Sequence, residues 1–113
     1  MIVRTWSARA RAGNVDAYVR HFDELLKPAL SKLAGFVAAS ILQSAPNDTG
    51  DVQIIVMTRW QSLEAIHAFA GDDIAVAVIE PAAAAVLESY DRHVEHFTVA
   101  YEISDLQVSC CQR

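Results

Sequence analysis

Apolar residues crowd both sides of the segment Val52–Gly71, VQIIVMTRWQSLEAIHAFAG. Strand side chains alternate, so Val52, Ile54, Val56, Thr58 and Trp60 share one side and Gln53, Ile55, Met57 and Arg59 the other. A strand with one wet face would alternate apolar with polar. This one requires cover on both faces, and a pocket is expected between the strand and its cover. Ser62 is placed to cap the next helix. Its Leu63, Ile66, Phe69 and Ala70 face inward, Glu64 complements the helix dipole, and Gly71 ends it.

The rest of the chain divides by the same signals. Ile2–Ala8 reads as a strand, Arg11–Asn14 as a turn and Asn14 as an N-cap. From Val15 to Leu33, the residues Tyr18, Phe22, Leu25, Leu26, Ala29 and Leu33 recur at helical spacing and form one apolar stripe. Pro28, lacking an N–H, is expected to kink or divide that helix near Leu25–Lys27. Gly35 stops it. Phe36–Ser44 is the second strand, and the polar turn Ala45–Asp51 makes a hairpin into the third. Asp72 or Asp73 is expected to start a helical turn through Ile79, Pro81 an Ala-rich helix to Glu88, and Arg92–Glu102 forms the last strand.

The resulting order, β, α, β, β, α, β, is that of a ferredoxin-like α+β fold: a four-stranded antiparallel sheet with both helices on one face. The opposite face is left bare, yet Ile55 and Met57 make it apolar. A second copy of the same sheet is the simplest cover, which predicts a homodimer.

Composition narrows the options further. The chain has 113 residues, 53% of them hydrophobic, enough for one domain with a real core. Residues 1–103 are expected to form it, with 104–113 as a C-terminal tail. Nine basic residues against 14 acidic ones, for a net charge of -5, and no basic cluster argue against a nucleic-acid partner. Charges interrupt the N-terminus MIVRTWSARARAG and no apolar run approaches a membrane span, so a soluble cytoplasmic protein with no membrane partner is expected. Cys110 and Cys111 are adjacent and are read as reduced thiols.

Several segments together resemble the antibiotic biosynthesis monooxygenase superfamily of dimeric α+β barrels. They are the opening IVRTW, PALSKLAGF at Pro28–Phe36, TRWQSLEAIHAFAG at Thr58–Gly71, AVIEP at Ala77–Pro81 and HVEHFTV at His93–Val99. The resemblance implies a cleft between helices and sheet lined by the strand-three tryptophan, Trp60. It also implies an asparagine four residues before Trp60, where Val56 stands, and an arginine in the following helical region, where Glu80 stands. For the haem-degrading branch, the iron-ligating histidine falls near Val78 and a first-strand asparagine near Trp6. Haem degradation is therefore not expected.

Other polar residues are candidates to take over the site chemistry. Arg4 and Trp6 share a strand face, which the resemblance makes the cleft face; Arg4 either binds a carboxylate or phenolate bidentately or pairs with a structural carboxylate. His21, one turn from Tyr18 and Leu25, is the candidate general base, or else a boundary histidine. His93 and His96 lie on opposite faces of a regular strand, so at most one enters the cleft, and together they make no metal site. His67 is expected to face water. Trp6, Phe22, Trp60 and Phe69 are core residues or aromatic cleft walls. No nucleophile triad, phosphate loop or zinc motif is present, and no cofactor or metal is expected. Two functions fit these residues. One is a cofactor-independent monooxygenase acting on an aromatic phenol or hydroquinone, with His21 and Trp60 catalytic and Arg4, Trp6, Tyr18, Phe22, Phe69, His93 and His96 binding substrate. The other is a non-catalytic dimer that binds a small molecule or supports stability.

Overall fold

The computed structural model describes residues 1–104. Strand β1 spans Ile2–Arg11, β2 Phe36–Gln43 and β3 Asp51–Trp60; two short segments, β4 Ser89–Tyr90 and β5 Glu95–Thr98, complete an antiparallel sheet. β3 lies between β2 and β1, and β4 and β5 follow one another along the far edge of β1. The topology is that of a ferredoxin-like α+β fold. Cys110, Cys111 and most of the expected tail lie outside the described residues.

The alternation in β3 holds at every position: Val52, Ile54, Val56, Thr58 and Trp60 are all buried beneath the helices. β1 contributes Arg4, Ala8 and Ala10 to the same buried face, with Arg4 opposite Thr58 and Trp6 opposite Val56. Between Phe36 and Ala38 the pairing of β2 with β3 shifts by one residue, a bulge at Val37. On the far face of the sheet, Ile55 and Met57 are half-buried, while Leu42 and Phe97 are 45% and 50% exposed.

The long helix is built differently from the regular one expected. Ala12–Asn14 form a 3-10 turn, and Asn14 already has helical backbone angles and makes no capping hydrogen bond. Helix α1, Val15–His21, runs into a π-helical turn, Phe22–Leu26, and then into α2, Lys27–Ser31. The Lys27 N–H bonds to the Phe22 carbonyl, five residues back. The break falls where Pro28 predicts one. A π turn holds one residue more than an α turn and so rotates everything beyond it. Leu25 and Ala29 are consequently exposed, and Leu30, 1% exposed, takes the inward position instead.

Gly35 turns the chain into β2 with φ +87°, and a Cβ there would stand 2.7 Å from that of Ala65. Only glycine fits both the angle and the approach. Helix α3, Leu63–Ala70, begins as expected: the Ser62 hydroxyl accepts from the Ala65 N–H at 3.2 Å, and Gly71 ends it at φ +86°.

Beyond Gly71 three expectations fail. The segment 72–80 is not helical: Asp73 Oδ1 accepts from the Ala75 N–H, and the chain then pairs with the last strand through Ala77 N–H to Arg92 O and Val94 N–H to Ala75 O, both 2.8 Å. The Ala-rich helix, α4, covers only Pro81–Ala84. The last strand starts earlier than Arg92 and is interrupted, because Asp91, Arg92, His93 and Val94 stand opposite only Trp6 and Ser7 of β1. Those four residues bow out to meet residues 75–77, with Val76 bridged to His93.

The core has two parts. Ala10, Val15, Tyr18, Val52, Ile54, Val56 and Ala83 form one; Leu30, Trp60, Ala65 and Ile66 form the other. Phe22 packs against both.

Candidate functional site

Where the two core parts meet, the helices and sheet leave a small, half-open cavity of about 50 Å³. Strand alternation brings Arg4 and Trp6 from β1 and Val56 and Thr58 from β3 to its floor. Tyr18, Phe22, Leu26 and Leu30 descend from the long helix, Phe69 from α3, and Ala77, Val78 and Val94 close the remaining side.

Arg4 is the dominant group. It is 5% exposed, and its guanidinium donates to Ile74 O at 2.6 Å and Val76 O at 3.3 Å. It also stands 3.1 Å from His96 Nε2 and 5.8 Å from the centre of the Phe69 ring. Because a guanidinium can only donate, His96 Nε2 is the acceptor and carries no proton in this arrangement. Burial, then the neighbouring Arg4 charge, holds the His96 pKa below the ordinary histidine value. Burial likewise lowers the pKa of Arg4. The ion pairs among the described residues are Arg11–Asp51, Lys27–Asp23 and Arg59–Glu102, and none engages Arg4. Of the two readings of Arg4, the structural carboxylate partner is absent among the described residues.

The other polar groups are hydroxyls. Tyr18 is 3% exposed, and burial pushes its phenol pKa well above the usual value, so it stays protonated. Thr58 Oγ1 accepts from Trp60 Nε1–H at 2.8 Å, which leaves its own proton free to donate. Trp6 leans on Tyr18 and Tyr90, with ring centres 6.2 and 6.3 Å away, and donates to Asp91 O.

Arg4, Trp6, Tyr18, Phe22 and Phe69 therefore come together at one cavity, and His96 stands behind Arg4. The remaining candidates lie elsewhere. Trp60 is fully buried behind the cavity, edge-on to Phe36 and beside Phe69, so Trp6 rather than Trp60 is the tryptophan wall. His21 is not a lining residue; its Nε2 is buried without a hydrogen-bond partner, and its ring centre lies 6.3 Å from that of Tyr18. His93 is exposed on the bowed segment, and His67 is exposed with Nδ1 2.9 Å from Gly71 O. Thr58 is a site residue that sequence reasoning misses. A lone hydroxyl in the buried register of β3 is the signal for it. No group of three or more metal-ligating side chains occurs among the described residues, and no helix of the described chain is long and apolar enough to cross a membrane.

A second, open groove of about 540 Å³ runs between the long helix and β2, lined by Val19, Lys27, Phe36, Ala39 and Ile41 among others. Phe22 and Leu30 border both it and the inner cavity.

A buried arginine in an aromatic cleft between helices and an antiparallel sheet is set in a fold with known relatives. The family described as antibiotic biosynthesis monooxygenase matches residues 1–81, and the chain belongs to that family. Among solved structures it is similar to an antibiotic biosynthesis monooxygenase candidate from Bacillus cereus, at 20% identity and TM-score 0.66, covering 92% of this chain and 95% of that one. It is also similar to the haem-degrader of Mycobacterium tuberculosis with two haems bound in its active site, at 20% identity, TM-score 0.64 and coverage of 92% and 100%. A third is a Streptomyces coelicolor monooxygenase in complex with Nanaomycin D, at 13% identity, TM-score 0.61 and coverage of 92% and 91%. At such identities the likeness establishes the fold. No curated protein matches the chain significantly.

Proposed function

We propose that the protein is a cofactor-independent monooxygenase that oxidises an aromatic phenol or hydroquinone in the cleft beside Trp6 and Arg4. The observation that supports this reading most is Arg4 itself, a cation without a carboxylate partner among the described residues, in a cavity walled, apart from Thr58, by aromatic and aliphatic side chains. Such a group stabilises the oxyanion formed when a phenol loses its proton. The electron-rich anion reduces oxygen, the two combine as a hydroperoxide, and loss of water leaves the quinone, so one oxygen atom ends in product and one in water. Tyr18, held neutral, is the group suited to donate a hydrogen bond to the developing oxygen anions. Neither His96, whose Nε2 accepts from Arg4, nor His21 lines the pocket, so the proton released by the phenol passes to solvent water while the Arg4 charge favours the anion left behind.

Two further parts of the reading concern haem and assembly. Val78 and Trp6 border the cavity at the positions where the resemblance puts a haem-ligating histidine and an asparagine, and neither side chain ligates iron, so the ligand of this reading is not haem. A homodimer would form through the far sheet face, where Leu42, Ile55, Met57 and Phe97 present an apolar surface.

The test is quinone formation from an anthrone or hydroquinone probe, followed by absorbance with and without oxygen and in the presence of a chelator. An oxygen-dependent rate above the buffer blank that survives the chelator is expected. Binding without such a rate transfers the assignment to the second reading, a non-catalytic small-molecule-binding dimer, which the position of His21 outside the cleft favours.

A further inference from the structure

One side of the cleft is closed by chain that does not belong to the sheet. Residues 74–78 run along the cavity, and Asp91–Val94 bow out to meet them, joined by Ala77 N–H to Arg92 O, Val94 N–H to Ala75 O and the bridge of Val76 with His93. Together they make a small two-stranded flap, and Ala77, Val78 and Val94 are its contribution to the cavity wall. Its ends suit a hinge. Gly71, at φ +86°, precedes the first segment, and Pro81 starts the short helix α4 that follows it.

Two side chains of β1 hold this flap. The Arg4 guanidinium donates to Ile74 O at 2.6 Å and Val76 O at 3.3 Å, and the Trp6 indole N–H donates to Asp91 O at 2.6 Å. Main-chain bonding of the flap to β1 is confined, among the described residues, to Asp91 N–H and Ser7 O, at the root where the bow leaves the sheet. Ile74 and Val94 pack inward, but Val76 and Val78 are 42% and 39% exposed. Burying the Arg4 charge is itself unfavourable, so lifting the flap returns the guanidinium to water and offsets part of the bonding lost. Size supplies the reason to lift. At roughly 10–15 Å³ for each water, the cavity of about 50 Å³ is filled by a few waters, whereas small-molecule sites take roughly 300–1,000 Å³.

We propose that the paired segments 74–78 and 91–94 are a hinged flap that lifts away from β1 to enlarge the cleft, with Arg4 and Trp6 as its latches. A ring-bearing ligand enters when the flap is up, and the two latch residues are positioning residues for the cover. The entry step rests on the cleft being the ligand site of the oxygenase reading; the motion itself is measurable without a ligand.

Native-state hydrogen exchange of the ligand-free protein, followed by NMR over rising sub-denaturing urea, tests the motion. The hydrogen-bonded Ala77 and Val94 amides are expected to be protected roughly a hundredfold less than those of the central strand β3, with little dependence on urea, because a local opening exposes little surface. Protection equal to that of β3, lost at the same urea concentration, overturns the flap. Trp6→Phe keeps a ring but removes the indole N–H, and should speed exchange of both flap amides roughly two- to tenfold. Arg4→Met removes the donors to residues 74 and 76 and should speed it roughly tenfold or more. In both variants the Gly50 amide, bonded to Asn47 O in the distant hairpin, should exchange as in the wild type. Unchanged or slower flap exchange overturns the latches, and Trp6→Phe decides alone should Arg4→Met fail to fold. Stopped-flow binding of 2-naphthol and 2-naphthamide without oxygen tests entry: observed rates should level off with concentration at one common plateau, the opening rate. Rates that keep rising linearly, or plateaus that differ between the probes, overturn the gate. Failure of both probes to bind counts against the oxygenase reading, and the flap then stands or falls on exchange.

Discussion

Single residues in this molecule carry contrasting demands, and Gly35 carries two at once. Its positive φ, and the 2.7 Å that would separate an added methyl from the Ala65 Cβ, predict that Gly35→Ala costs about 1–3 kcal/mol, measured by denaturant unfolding. His96 makes a prediction in pH. Its folded pKa lies below the ordinary value, so the folded state takes up a proton less readily than the unfolded chain. Its contribution is then fully present above the unfolded pKa of about 6.5 and is lost as pH falls from there toward the folded value. His96→Gln should lose less stability than the wild type between pH 7 and pH 5, read as a smaller drop in melting temperature. An unchanged drop would count against the Arg4–His96 contact. Much at this scale was legible. Period two put Arg4 with Trp6 and Thr58 with Trp60, the resemblance made the first pair's face the cleft face, and on that shared face Arg4, Thr58 and Trp60 are buried and Trp6 half-buried. Depth was not legible: Trp60 has the same parity as Thr58, but Phe36 and Phe69 close over it, and no local pattern announces that.

Elements were legible where their signals are local. The Ser62 cap, the glycine stop at Gly71 and the Ala45–Asp51 hairpin follow from side-chain chemistry within a few residues. Ser62→Ala should cost about 0.5–2 kcal/mol, measured as a lower denaturation midpoint, since the hydroxyl meets an otherwise unbonded N–H of the first turn. Elements governed by distant partners were misread. Residues 72–80 have a helix-compatible sequence but spend their backbone groups on Arg92 and Val94 and on the Arg4 guanidinium. In the long helix, Pro28 signals a break without its kind, and a π turn changes which residues face inward. Deleting one residue between Phe22 and Leu26 should restore regular α geometry there with Leu30 still facing inward, because only the extra residue of the π turn is lost. Stability is therefore expected to stay within about 1 kcal/mol of the wild type, read by chemical denaturation.

At the scale of the whole molecule, the sheet has one face finished and one unfinished. The helices cover the first, whereas Leu42 and Phe97 remain half open on the second. With the proposed dimer in place, Ile55→Asp would put an unpaired carboxylate into the interface. Light scattering at micromolar concentration is expected to give a dimer mass for the wild type and a monomer or unfolded chain for the variant. A wild-type monomer would remove the assembly proposal while leaving the cleft untouched, because the cleft is built on the opposite face.

The outermost strand has a further consequence, for behaviour in concentrated solution. β2 ends the sheet, so its outward N–H and C=O groups are an unsatisfied template on which another extended chain could assemble. The bulge at Val37 disrupts that template at one end, and Ala39 and Ser40, farther along, border the outer groove. An occupant of that groove would lie beside this stretch of the edge strand and compete there with such pairing.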